Sequence, residues 1–100
     1  MEALNVLADP TRLAILESLT KEPASVGAVA DRFPISRPAM SRHLRLLRDA
    51  GLVESVTDGT RHIYRVRPQG IEAVRRYMDQ LWNDAAARYK ITVENLKDQS

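Results

Sequence analysis

The sequence predicts a mainly helical domain that carries one small β-hairpin, an α+β arrangement, and closes on a long C-terminal helix. Three observations predict it. Apolar stripes at helical spacing, each with a capping residue in front, fill residues 9 to 51. An Asp58-Gly59 pair then separates two short runs rich in β-branched residues. From Ile71 onward, apolar residues recur at alternating spacings of three and four.

The elements follow in order. Asp9-Pro10 reads as an N-cap followed by proline at the first helical position, where the missing N–H costs nothing. Leu13, Leu16 and Leu19 recur behind it, with Ile15 flanking, and the helix should end near Thr20, before Lys21-Glu22-Pro23. Ser25 caps a second helix with Val26, Val29, Ala30 and Phe33 as its stripe, stopped by Pro34. Ser36 caps a third, running to about Ala50, with Met40, Leu44 and Leu47 on its apolar face and Leu46 flanking. Gly51 stands where a left-handed residue is wanted to close that helix.

The period then changes. The runs 52–57 and 61–66 read as two strands around Asp58-Gly59, with the register open by one residue because Thr60 fits either the turn or the strand. Pro68 and Gly70 punctuate the return to helix. Ile71, Val74, Met78, Leu81, Ala85 and Tyr89 form the stripe of the last helix, and Trp82 thickens it. A helix reaching about Lys97, with fraying expected at Ile91-Thr92-Val93, is about 40 Å long at roughly 1.5 Å per residue. That exceeds what a core this small covers. The stripe, together with Leu4 and Leu7, is therefore expected to pack on a second copy of the chain.

Composition excludes several functions. With 100 residues, 44% hydrophobic and 28% charged, the chain fits one ordinary globular domain. No apolar run approaches the roughly 20 residues of a membrane helix, and MEALNVLADPTRL is not a secretory signal. The absence of cysteine removes disulfides, thiolate metal sites and thiol nucleophiles. Only His43 and His62 remain as imidazoles, and neither has the partners of a metal site or a catalytic triad. There is no glycine-rich phosphate loop. Catalytic residues, cofactor and metal are all expected to be absent.

The net charge is only +2, but residues 34 to 67 hold seven arginines, no lysine and three acids, a local +4. Arginine forks suit phosphates and guanine edges better than lysine does. Helix, turn, helix and hairpin with an arginine-rich second helix make a winged helix-turn-helix. The chain divides accordingly into a helical DNA-binding core at 9–51, a wing hairpin at 52–67 and a dimerisation helix at 68–97, all in one domain of 1–100. A recognition helix needs small or polar residues at its N-terminal end to enter the major groove. Arg37, Pro38, Ser41 and Arg42 occupy that position. Arg45, one turn on, is in reach of the flanking backbone, and Arg61 beside the wing tip is suited to the minor groove or to phosphate. His62 reads as a strand residue near DNA.

Two stretches carry a family resemblance. Residues 8–16, ADPTRLAIL, resemble the ADPTR-x-x-IL signature that opens the ArsR-like winged helix-turn-helix repressors. Residues 35–53, ISRPAMSRHLRLLRDAGLV, resemble that family's recognition helix and the start of its wing. The wing sequence 58–64, DGTRHIY, is similar to the family's Gly-Arg-x-x-x-Tyr pattern with the arginine displaced by one. The likeness spans about residues 4 to 66. It implies a homodimeric repressor in the cytoplasm, associated with the nucleoid, on a near-palindromic double-stranded operator. It also implies that Arg37, Pro38, Ser41 and Arg42 read bases and that Ser36, His43 and Arg45 contact or orient backbone, while His43 by itself reads as either structural or phosphate-facing.

The chain departs from the metal-sensing and thiol-sensing members. Where they carry Cys-x-Cys it reads Ser25-Val26-Gly27-Ala28-Val29-Ala30, and its last helix has acids but no histidine. It is most similar to the cysteine-free branch with a tryptophan on the dimerising helix, whose members resemble autorepressors. Two other functions remain open. One is a repressor released by a small-molecule inducer in a pocket at the dimer seam, lined by Tyr77, Trp82 and Tyr89. The other is a winged-helix module for protein recognition, against which the arginines of the recognition helix speak.

Overall fold

The computed structural model describes residues 1–98. The elements in chain order are α1 (Glu2–Leu7), α2 (Pro10–Lys21), α3 (Val26–Ala30), α4 (Arg37–Asp49), β1 (Val53–Asp58), β2 (Arg61–Val66) and α5 (Pro68–Asp98). Mostly helical, with one antiparallel hairpin and a long last helix, this is the α+β class that the sequence predicts.

The core gathers one face from each early element. Ile15, Leu19, Val29, Met40, Leu44, Leu47, Leu52 and Val53 are completely or almost completely buried. On α2 the buried stripe is Ile15, Leu16 and Leu19, whereas Leu13 is 41% exposed. The expected order of Leu13 and Ile15 is therefore reversed. Two overlapping stripes satisfy helical spacing there, and the approach of α4 chooses between them. The core also extends upstream of Asp9. Helix α1, which was not expected, buries Ala3 and Val6.

Asp9 sits at the N-cap of α2 with extended backbone angles, but its side chain caps nothing. It turns instead to Arg12 (Nη1 to Oδ2, 3.4 Å), and Arg12 Nε donates to the Val6 carbonyl at 2.7 Å. The ADPTR segment is thus a staple that satisfies the C-terminus of α1 and fixes the α1–α2 corner. Arg32 does the same for the end of α2, donating from Nη1 to Ser18 Oγ (2.8 Å) and to the Glu22 carbonyl (3.1 Å).

Helix α3 is shorter than its apolar stripe. After Ala30 the chain tightens into three-residue turns (Arg32 N–H to the Val29 carbonyl, Phe33 N–H to the Ala30 carbonyl), and Phe33 remains half-buried on the core. Helix α4 ends as its glycine implies. Gly51 has φ +77°, its N–H bonds the Arg48 carbonyl, and the Leu52 N–H bonds the Leu47 carbonyl, which together make a Schellman closure.

In the hairpin Asp58 pairs with Arg61, so the two turn residues are Gly59 and Thr60. The turn lies one residue beyond Asp58-Gly59. Gly59 has φ +64°, and among the described residues none but glycine has positive φ, so Thr60 is negative and the pair has the φ signs of a type II′ turn. Residue 24 adds a third, single-residue rung: Ala24 and Tyr64 exchange both backbone hydrogen bonds at 3.1 and 2.8 Å. This rung ties the wing to the α2–α3 loop.

Helix α5 starts at Pro68 and runs without a break, through the β-branched 91–93 segment, to the end of the described residues. Its first turn docks on the α4–β1 corner through Gly70. A side-chain carbon there would collide with the Gly51 carbonyl and stand 3.2 Å from the Leu52 Cα. Ile71 and Val74 pack in part against this chain's own core, as does Leu7, and Leu4 is half-buried. Beyond them Met78, Leu81, Trp82, Ala85 and Tyr89 are exposed, and the helix carries the molecule out to 69 Å along its long axis.

Gly70→Ala should lower stability by about 1–3 kcal/mol, because the methyl group meets fixed backbone. Helix propensity alone predicts the opposite sign, by about 1 kcal/mol. Urea denaturation of the two proteins decides between them.

Candidate nucleic-acid interface

Helix α4 is positioned by its buried side. Met40, Leu44 and Leu47 have no exposed surface, so the rotation of the helix about its axis is fixed. The opposite side presents Pro38, Arg42 and Arg45, with Ser41 on its flank, and Arg37 extends from the N-terminal end of the helix beside α3; all five are exposed. Ser36 caps the helix, its Oγ accepting from the Ala39 N–H at 3.3 Å, and is itself exposed. Arg61 and His62 are exposed at the start of β2, next to the wing tip. The fold brings the two groups together. Arg37 from α4, Arg61 and His62 from the wing, the N-cap Ser25 with Val26 to Ala28 of α3, and Asp31 line one open groove of about 490 Å³.

The arginines on this side form no ion pairs, although Asp31 lines the groove with Arg37 and Arg61. Most of the other arginines are paired: Arg12 with Asp9, Arg32 with Glu22, Arg48 with Asp49, Arg65 with Glu54 across the hairpin, and Arg75 and Arg76 with Glu72, while Arg67 and Arg88 make no ion pair among the described residues. Two bonds from Arg75, at 2.9 and 3.1 Å, hold the Glu72 carboxyl below its ordinary pKa. By contrast Arg37, Arg42, Arg45 and Arg61 make no ion pair with any described residue. Guanidinium groups left to solvent on one surface form an anion-binding field.

His43 shares the helix but not this face. Its side chain is only 21% exposed and its Nδ1 lies 3.9 Å from Asp9 Oδ2, without a hydrogen bond. It lies beside the α2 corner, set back from the exposed arginines. Sequence reasoning also missed Gly27 and Asp31, which line the groove. For Gly27 a signal existed: a helical glycine that serves neither a turn nor a helix closure marks a close approach. Among the described residues no group of three or more His, Cys, Asp or Glu is placed to hold a metal ion, and no helix is long and apolar enough to cross a membrane.

Comparison with known proteins agrees with this geometry. A family described as a helix-turn-helix domain matches residues 7–56. The HTH-type transcriptional regulator Rv2034 of Mycobacterium tuberculosis is 40% identical over 98 residues, 98% of this chain and 92% of its own. An ArsR-like transcriptional regulator from Rhodococcus sp. RHA1 superposes with a TM-score of 0.78 at 32% identity, covering 87% of this chain and 82% of that one. The homodimeric winged helix-turn-helix DNA-binding domain of Mb0332 from Mycobacterium bovis superposes with a TM-score of 0.68 at 26% identity, over 83% and 77% of the two chains. The named functions are those of transcriptional regulators, not enzymes. A capped helix with an arginine face, a wing beside it and relatives along nearly the whole length lead to one conclusion: the chain belongs to the ArsR-like family of winged helix-turn-helix transcriptional regulators.

Proposed function

We propose that this chain is a homodimeric, sequence-specific DNA-binding repressor of a near-palindromic operator, its own promoter included among the targets. The observation that carries this is the set of unpaired arginines on α4 and the wing, in a molecule whose other arginines mostly find internal acids. Arg37, Pro38, Ser41 and Arg42 read base edges in the major groove. Ser36 and Arg45 hold phosphate, and Arg61 with His62 grips the flanking backbone from the wing. His43, with its contact to Asp9, orients α4 from behind.

The partner copy covers the outer part of α5. Met78 is 46% exposed, Leu81 51% and Trp82 73%, a continuous apolar stripe that one chain leaves uncovered. The homodimer named for the Mycobacterium bovis relative supports the same state. A two-fold pair sets the recognition helices one DNA turn apart, roughly 34 Å, on a site about 20 base pairs long. With no cysteine in the chain and no histidine on α5, release by metal or thiol chemistry is excluded from the proposal.

Fragments selected from the source genome by the purified protein should share a two-fold motif, bound with nanomolar affinity and a steep salt slope. Weak, sequence-blind binding overturns the proposal. On the recovered site, Arg42→Ala should cost about 1–3 kcal/mol and relax preference at one base pair, while Arg45→Ala weakens operator and random DNA alike. Equal losses on both DNAs for both variants would remove base readout. Leu81→Glu alters an exposed residue, so the fold should survive. It should sediment as a monomer and lose about 100-fold in operator affinity as bivalency disappears. An unchanged sedimentation profile places the seam elsewhere.

A further inference from the structure

We propose that Gly27 is a positioning residue for Arg37. By leaving no side chain on the first turn of α3, it forms the seat on which the Arg37 guanidinium lies. The inference rests on the assignment of Arg37 to DNA made above.

Four observations carry it. A methyl carbon at Gly27 would stand 2.9 Å from Arg37 Nη2, 3.0 Å from Cζ and 3.3 Å from Nε, and these are the three nearest atoms to that position. The Nη2–Cζ–Nε side of the guanidinium is therefore drawn across the bare Cα. Gly27 has no other evident reason to be glycine. Its φ is not positive, it closes no helix, and glycine within a helix is less favourable than alanine. Arg37 is exposed and has no ion pair among the described residues, so its contact with the bare turn at Gly27 is what positions a long, rotamer-rich side chain. Finally, Gly27 and Arg37 line one groove with Arg61 and His62, so the seat sets how far the first arginine of α4 stands from the wing.

The physical consequence of filling the seat is specific. The atoms a methyl group meets are the far end of a flexible side chain, not backbone, so the guanidinium moves and the helix stays. Alanine at 27 displaces Arg37 while favouring α3. Stability and DNA binding should then change in opposite directions, which a purely structural glycine does not produce.

The test is a double-mutant cycle on the full chain with the recovered operator: wild type, Gly27→Ala, Arg37→Ala and the double variant. Affinity, base preference at each operator position and melting temperature are measured for all four. Gly27→Ala should melt at or above the wild-type temperature, lose about three- to tenfold in operator affinity and alter preference at the same base pair as Arg37→Ala. In the Arg37→Ala background, adding Gly27→Ala should change affinity by less than about 1.5-fold. An equal loss in both backgrounds means that the methyl group itself obstructs DNA, and overturns the proposal. So does undiminished binding by Gly27→Ala while Arg37→Ala binds poorly. If Arg37→Ala binds like wild type, the assignment of Arg37 to DNA fails, and the proposal fails with it.

Discussion

Three side chains on one helix, Met40, Leu44 and Leu47, give this protein its working surface without belonging to it. All three are completely buried, at positions spaced four and three apart. That contact fixes which way α4 faces, and the rest of its circumference follows from helical geometry. The arginines at 42 and 45 are exposed because these three residues are not, and Arg37 is exposed at the helix end, beside α3. A core this small tolerates little slack at such a contact, since interiors are packed at crystal-like density. Rotating α4 would both open the core and turn the arginines away.

The polar groups around that helix separate into two populations. One is spent inside the molecule. Arg12 closes the end of α1, Arg32 closes the end of α2, and Arg65 spans the hairpin to Glu54. Each satisfies carbonyls or acids that helix ends and strands leave behind. The other population, Arg37, Arg42, Arg45 and Arg61, has no such use. Exposed ion pairs contribute little to stability, so leaving these arginines without ion pairs costs the fold almost nothing. What it leaves is a local positive field beside a groove, on a chain whose net charge is only +2.

Helix α5 plays two roles in sequence. Its first turns belong to the body, with Gly70 pressed on the Gly51 carbonyl and with Ile71 and Val74 on the core. Its later turns project past the body with Trp82 and Tyr89 each 73% exposed. A helix of that length gains nothing from tertiary packing over its outer half, and isolated helical turns are marginal in water. The same stripe therefore continues from an internal contact to one that needs a second surface. Since α5 begins beside the closure of α4, the proposed partner on α5 would also be held at a set distance from α4.

Much of this was legible in the residues alone, and the division has a physical basis. Local rules determined what local energies decide. The Ser25 and Ser36 caps, the left-handed Gly51, the stripe of α4 and the continuity of α5 all appear where spacing and capping chemistry put them. These depend on neighbours within about five residues, which the sequence displays directly. Tertiary structure decided whatever required a choice between equal local options. Ile15 rather than Leu13 turned inward because α4 approaches from that side, and the turn moved to Gly59-Thr60 because the cross-strand register overrode the Asp58-Gly59 signal. It also placed His43 against Asp9 and Arg37 against Gly27, pairs separated by many residues and joined only when helices cross. No periodicity encodes such contacts, because they are set by the distance between two elements and not by the pattern within either.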